Sequence, residues 1–283
     1  MTLRPRRSAL YMPASNARAI AKARSLDCDV VILDLEDAVA PDLKASAREQ
    51  AVAAVRDGGF GRREVVVRIN GLDTAWGADD LSALAEAAPD AILAPKVSSA
   101  AEIAAYAERL PAATPLWIMI ETAISLFRLQ EMAATARSGP LAGFVLGTND
   151  LAAEMGVQTD ARRAPFIGAM GLAVAAARAH GLIILDGVFN DLDDAEGFAL
   201  QTRQALEFGF DGKTLIHPSQ IAPCNAAFTP DAAAVEAARA VIEAFAAPEN
   251  ADKGAIRLNG RMVERLHLRQ AERTLAAARA GID

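Results

Sequence analysis

Eight short apolar runs, each followed by a stretch of helical composition, set the tightest limit on how this chain folds. The runs are SALYM (8–12), DVVILDL (29–35), EVVVRIN (64–70), DAILAP (90–95), LWIMIE (116–121), AGFVLGT (142–148), LIILDG (182–187) and FDGKTLI (210–216). Each has the length and the Val/Ile/Leu content of a buried strand. Between them, residues 16–26, 43–56, 79–88, 100–110, 124–136, 162–180 and 194–208 read as helices by composition and period. Strands that alternate with helices build a parallel sheet. Eight such units in 283 residues predict closure into a (β/α)8 TIM barrel, which takes about 250 residues. A doubly wound open sheet is the alternative architecture.

The pattern changes after the eighth run, so residues 1–228 are expected to form the catalytic barrel and 229–283 a C-terminal helical extension. Residues 229–246 read as an Ala-rich helix, AAPENADKGAIRLNGRM as a linker or short hairpin, and 268–280 as an amphipathic helix. A barrel closes without such a tail. The tail is therefore a lid or oligomer contact, or a helix packed on the outside.

Composition narrows the partners. Apolar residues make up 52% of the chain and aromatics 5%, the balance expected of strands buried on both faces. A net charge of -7 excludes a general nucleic-acid binder, which needs a cationic face. It leaves room for an anionic small molecule, because local Arg and Lys decide that. The two cysteines, Cys28 and Cys224, lack metal-ligand spacing, and a long chain poor in cysteine reads as cytoplasmic. No run reaches the roughly 18 to 20 apolar residues that cross a bilayer, and the basic N-terminal segment lacks the apolar run of a signal peptide.

Catalytic groups of a barrel come from the C-terminal ends of its strands. Here those ends carry Asp34, Glu36 and Asp37; Arg68 and Asn70; Lys96; Glu121; Asn149 and Asp150; Asp186; and Lys213 followed by His217. The opposite ends show no comparable cluster of acids around a single Arg. Carboxylates converging on one rim repel one another unless a cation joins them. Oxygen ligands without Cys or paired His favour Mg²⁺, with Mn²⁺ possible, over zinc. Glu121 and Asp150, on adjacent strands, are the best metal pair, although Asp150 in GTNDLA also suits a helix cap. Arg68 stands inside an apolar run, so it needs an acid or an anionic ligand. It either presents its fork to substrate, or pairs structurally with Glu36 or Asp37, or does both. Lys96 and Lys213 stand where a Schiff-base lysine could. His217 suits either catalysis or the orientation of a loop. In the first loop, MPASNARAIAKA, small residues precede a helix whose first turns are read to carry Arg18 and Lys22. That makes an anion site or an ordinary solvated face.

The segments RSALYMPASN, DVVILDLEDAV, VVVRING, LAPKV, IMIETA, GTNDLA and GFDGKTLIHP, in this order, resemble the HpcH/HpaI aldolase superfamily from Arg7 to about Gln220. More narrowly they resemble its citrate lyase beta-subunit-like, malyl-CoA lyase and citramalyl-CoA lyase branch. The resemblance implies a Mg²⁺-dependent carbon–carbon lyase that cleaves or forms a small 3-hydroxyacyl-CoA thioester. It implies that Glu121 and Asp150 bind the metal and that Arg68 holds the oxo-acid and stabilises an enolate. Glu36 and Asp37 would order metal-bound water and Arg68, and Arg18 and Lys22 would meet CoA. It also implies a homo-oligomer, trimer or hexamer, in which a tail M-[VI]-D covers a neighbour's site. Here the tail reads Met262-Val263-Glu264, a carboxylate one methylene longer, so Glu264 either replaces the family's Asp as acid–base group, acts differently, or is an ordinary surface acid. Alternatives within the resemblance are a metal aldolase for free oxo-acids, a malyl-CoA thioesterase, and a subunit acting on an acyl-carrier-protein thioester.

Overall fold

The computed structural model describes residues 4–250 and 252–280. Its eight predicted strands are β1 (Ser8–Pro13), β2 (Val30–Asp34), β3 (Glu64–Arg68), β4 (Ala91–Ala94), β5 (Leu116–Ile120), β6 (Leu141–Leu146), β7 (Ile183–Asp186) and β8 (Gly212–Leu215). All pair in parallel and in chain order, and β8 pairs with β1, so the sheet is a closed barrel rather than a doubly wound sheet. Helices separate the strands, and the chain is a (β/α)8 TIM barrel with a C-terminal helical region.

Strand side chains alternate between faces, and the inner face is apolar through the middle of the barrel. Ala9, Val30, Ile32, Val66, Leu93, Trp117, Met119, Val145 and Leu185 form one buried cluster there. Two residues further along, the same inward positions become polar: Ile32 leads to Asp34, Val66 to Arg68, and Met119 to Glu121. A strict period of two thus delivers the charged groups to the C-terminal mouth.

The helices follow the reading with local differences. The expected helix at 124–136 is two pieces, Ala123–Phe127 and Leu129–Ala134, broken at Arg128 (φ -117, ψ 9). Two helices outside the expected set appear at Thr148–Met155 and Ile221–Phe228.

The N-terminal end also carries acids, each matched to a donor. Asp29 accepts from Arg7 Nε and Nη2, both at 2.8 Å, and from the Arg7 backbone N–H at 2.8 Å. Glu64 takes Arg6 Nε at 2.5 Å and Nη2 at 2.9 Å. Asp90 accepts from the Val65 N–H at 2.7 Å. Asp211 takes Arg178 Nη2 at 2.6 Å and the Ile184 N–H at 2.8 Å.

The described residues form two compact units, Arg6–Asn225 and a second built from 226–250 and 252–280 together with Arg4 and Pro5. In the second unit, helix Ala232–Ala246 starts at Asp231, whose side chain accepts the Ala234 N–H at 2.7 Å. An antiparallel hairpin follows, β9 (Ala255–Leu258) and β10 (Arg261–Glu264). Asn259 and Gly260 turn it with φ 50 and φ 79, as a tight two-residue hairpin requires of both central residues. Helix Arg265–Ala280 packs on Ala232–Ala246. Among the described residues, no helix is long and apolar enough to cross a membrane.

Candidate active site

A cavity of about 310 Å³ at the C-terminal mouth is lined by Tyr11, Asp34, Asp37, Arg68, Met119, Gly147, Asp150 and their neighbours. Arg68 organises it. The last residues of β2 and β3, Asp34 and Arg68, lie side by side in the ladder and point the same way. Arg68 Nε and Nη2 donate to the two oxygens of Asp34 at 2.7 and 2.6 Å. Its guanidinium carbon sits 4.8 Å from the centroid of the Tyr11 ring, within cation–π range. The third nitrogen, Nη1, is 2.9 Å from Glu36 Oε2 and 3.8 Å from Asp37. Burial opposes the charge on Arg68, but Asp34, then Tyr11 and Glu36, outweigh it and hold the guanidinium well above its ordinary pKa.

The principal partner of Arg68 is therefore Asp34. Glu36 joins it, whereas Asp37 stays at the edge. Asp34 also accepts the backbone N–H of Glu36 at 2.9 Å and of Ala38 at 3.2 Å, which folds the acidic loop over it. Lys44 pins the same loop, donating to Leu35 O at 2.8 Å, Glu36 O at 2.7 Å and Asn70 Oδ1 at 2.7 Å. Asn70 is held by Asp80 Oδ2 at 2.6 Å. Sequence reasoning assigned no role to Tyr11, Asp34, Lys44 or Asp80. The in-register ends of the DVVILDL and EVVVRIN runs carried the signal for Asp34.

Glu121 projects inward from the end of β5 and is 1% exposed. A Cβ on Gly147 would lie 2.5 Å from Glu121 Cβ and 2.5 Å from its Oε2, so glycine there makes room for the carboxyl. Burial, then the charge of Glu36, pushes the Glu121 carboxyl up to about 8. The Lys96 backbone N–H donates to its Oε1 at 2.7 Å. Asp150 is the third residue of helix Thr148–Met155, in its first turn and not at the Gly147 cap. A carboxylate there is favoured by the helix dipole.

Five acids (Asp34, Glu36, Asp37, Glu121 and Asp150) thus face two cations, Arg68 and Lys96. Among the described residues no three of His, Cys, Asp and Glu form a metal cage. Asp150 lines the cavity and Glu121 is buried against Gly147, which also lines it; such a pair suits Mg²⁺, which usually keeps several waters and takes only one or two carboxylates. The raised pKa of Glu121 and the glycine cradle at Gly147 fit a hard cation in place of a proton.

Arg18 and Lys22 are exposed on helix Ala17–Ala23, but Lys22 is in its last turn. Lys213 is fully buried, 2.7 Å from Asp186 Oδ2, with Arg163 Nη1 2.6 Å from the other oxygen. It is sealed away from substrate and suits no Schiff base. His217 Nδ1 accepts the Ser219 N–H at 3.2 Å and so orients its loop. Glu264 ends β10, and its backbone N–H donates to His267 Nδ1 at 2.9 Å.

The HpcH/HpaI aldolase/citrate lyase family model matches residues 7–218. The chain belongs to this family. It is 47% identical over 276 residues to a (3S)-malyl-CoA thioesterase of Cereibacter sphaeroides, covering 98% of this chain and 95% of that one. It is 38% identical to an L-malyl-CoA/beta-methylmalyl-CoA lyase of the same organism, covering 95% and 93%. Among solved structures it resembles protein CitE from Mycobacterium tuberculosis in complex with magnesium, acetoacetate and coenzyme A, with 35% identity, a TM-score of 0.78 and 97% of both chains covered.

These similarities correct the expectation of a carbon–carbon lyase. The thioesterase relative is nearer than the lyase relative, 47% against 38% identity, along nearly the whole length of all three chains. The residues read from the sequence did not separate the two activities.

Proposed function

We propose that this chain is a divalent-cation-dependent hydrolase of small hydroxyacyl-CoA thioesters of the (3S)-malyl-CoA class. The observation that carries hydrolysis is the full-length similarity to (3S)-malyl-CoA thioesterases at 47% identity. The mouth of the barrel supplies what that reaction needs. Glu121 and Asp150 would hold Mg²⁺, which supplies Lewis acidity at the thioester carbonyl. Arg68, fixed by Asp34 in one orientation, presents Nη1 toward the anionic acyl group. A preorganised guanidinium of this kind stabilises developing negative charge without reorganising. Asp37, with its side chain 58% exposed, takes a proton from the attacking water, and Glu36 helps to order that water. The carbonyl–sulfur bond breaks, and the CoA thiolate leaves and is protonated by solvent. The products are the free hydroxy acid and CoA.

Arg18 and Lys22 act in this reading as surface cations for the phosphates of CoA. Changing both to Ala should weaken CoA binding in calorimetry, and unchanged affinity would remove them from the site. Across a homo-oligomer contact, Glu264 would supply the proton for the leaving thiolate in place of solvent. Activity regained on mixing Glu264→Gln with Glu121→Ala protomers would support this, and no recovery after verified subunit exchange would sink it. The reaction itself is tested by incubating the protein with a panel of acyl-CoA thioesters and free oxo-acids, in Mg²⁺ and in EDTA. Mass spectrometry should find Mg²⁺-dependent release of CoA and hydroxy acid. Full activity in EDTA, or turnover of free oxo-acids alone, would overturn the proposal.

A further inference from the structure

Lys96 is the one charged side chain of the mouth to which the proposed reaction gives no task. Its backbone is left-handed, with φ 53, a conformation uncommon outside glycine. That turn directs two parts of one residue at the two acids proposed to hold the metal. The backbone N–H reaches Glu121 Oε1 at 2.7 Å, and the ammonium lies 4.0 Å from Asp150 Oδ1. The ammonium also contacts Glu36 Oε1 and stands 3.9 Å from Asp37 Oδ1. Its side chain is 49% exposed, so the head can move on its four-carbon stem without opening the core. Arg68 differs in each respect: it is buried, forked and fastened to Asp34.

We propose that Lys96 is a tethered counter-cation that competes with the divalent ion for the carboxylates of the mouth, and so sets how tightly that ion is held. The inference rests on the reading of Glu121 and Asp150 as metal ligands. The acids outnumber the fixed cation Arg68, so a mobile positive charge lowers their mutual repulsion. A dication held by Glu121 and Asp150 would share Asp150 with the ammonium, which lies 4.0 Å from its Oδ1. It must displace the ammonium or bear its repulsion, and either weakens binding. A compact point charge on a flexible stem suits this task better than a planar guanidinium. Lys96 is in this sense a positioning residue, since it acts through the metal and its ligands.

The test is Mg²⁺ titration by calorimetry at low salt with the full chain, the Lys96→Met and Lys96→Arg variants, and thermal melts with and without saturating Mg²⁺. Lys96→Met should bind Mg²⁺ at least tenfold more tightly than wild type, a change of about 1.4 kcal/mol. Lys96→Arg keeps the charge and should not gain this affinity. The advantage of Lys96→Met should shrink as salt screens the charges. Without Mg²⁺, Lys96→Met should melt below wild type, and saturating Mg²⁺ should close the gap. Mg²⁺ binding by wild type with equal or weaker binding by Lys96→Met would overturn this inference alone. So would a melting deficit unchanged by Mg²⁺, which marks a merely structural side chain. No Mg²⁺ binding to wild type would overturn the metal reading together with the inference.

Discussion

The two ends of the barrel both gather acids but treat them in opposite ways. At the N-terminal end Asp29, Glu64, Asp90 and Asp211 each meet an arginine, a backbone N–H or both at hydrogen-bond distance. At the C-terminal end, Glu121 is buried with its pKa pushed up to about 8. Glu36 Oε2, though 2.9 Å from Arg68, has no aligned hydrogen-bond donor. Satisfied charges lock strand ends in register and add stability only while the pairing is intact. Unsatisfied ones cost stability and stay reactive toward a cation or an anion. The same residue types thus serve the fold at one end and, in the proposed reaction, chemistry at the other.

That contrast breaks first at Glu121. Glu121→Ala should lower kcat/KM by at least about 10³, roughly 4 kcal/mol of transition-state stabilisation. Its melting temperature should hold or rise, because a strained buried acid is gone. A melting temperature that drops with activity would show that Glu121 belongs to the fold. Asp29→Ala is the mirror experiment. It leaves the buried Arg7 without its carboxylate and should cost about 3 kcal/mol in denaturant unfolding. The kcat/KM of the folded fraction should stay unchanged, and a loss of activity without a loss of stability would contradict the division.

Arg68→Lys is a finer probe. Lysine keeps the charge but cannot grip both oxygens of Asp34 while facing the cavity. The variant should lose at least about tenfold in kcat/KM, about 1.4 kcal/mol. Wild-type kinetics would reduce Arg68 to a structural ion. The smallest effect concerns the two thiols near the closed end. Burial pushes Cys28 up to about 11 and Cys224 to about 12, and Cys224 Sγ donates to Arg7 O at 3.2 Å. Folded pKa values above the unfolded thiol value mean that their stabilisation is complete below about pH 8.5. It is lost as pH rises through 11 and 12. Neither thiol should react with alkylating reagents at pH 8 until the chain is unfolded. Rapid native labelling would show that this end opens.

Much of this contrast was legible in the chain, and what was not has physical reasons. All eight strands were marked because buried parallel strands are apolar on both faces and cannot hide in a polar background. Glu121, Asp150 and Arg68 stood out as charges at the ends of such runs. The Arg68–Asp34 pair depends on register between strands 34 residues apart, which periodicity alone does not fix. The task of Lys96 depends on a left-handed turn at a non-glycine residue, and composition gives no sign of it. The acids at the closed end were underrated because their partners, Arg6 and Arg7, precede the first strand, and Arg178 lies in a helix. The choice between hydrolysis and carbon–carbon cleavage left no mark in the residues read as catalytic, and only full-length similarity separated the two.

The central claim is that this mouth directs water to a thioester carbonyl. It is tested most directly by turnover of (3S)-malyl-CoA in H₂¹⁸O with Mg²⁺, followed by mass spectrometry of the products. The account predicts free CoA together with malate that carries a single ¹⁸O in the newly formed carboxylate, and no product when EDTA is present. Acetyl-CoA and glyoxylate as the primary products, with the thioester bond intact, would contradict it.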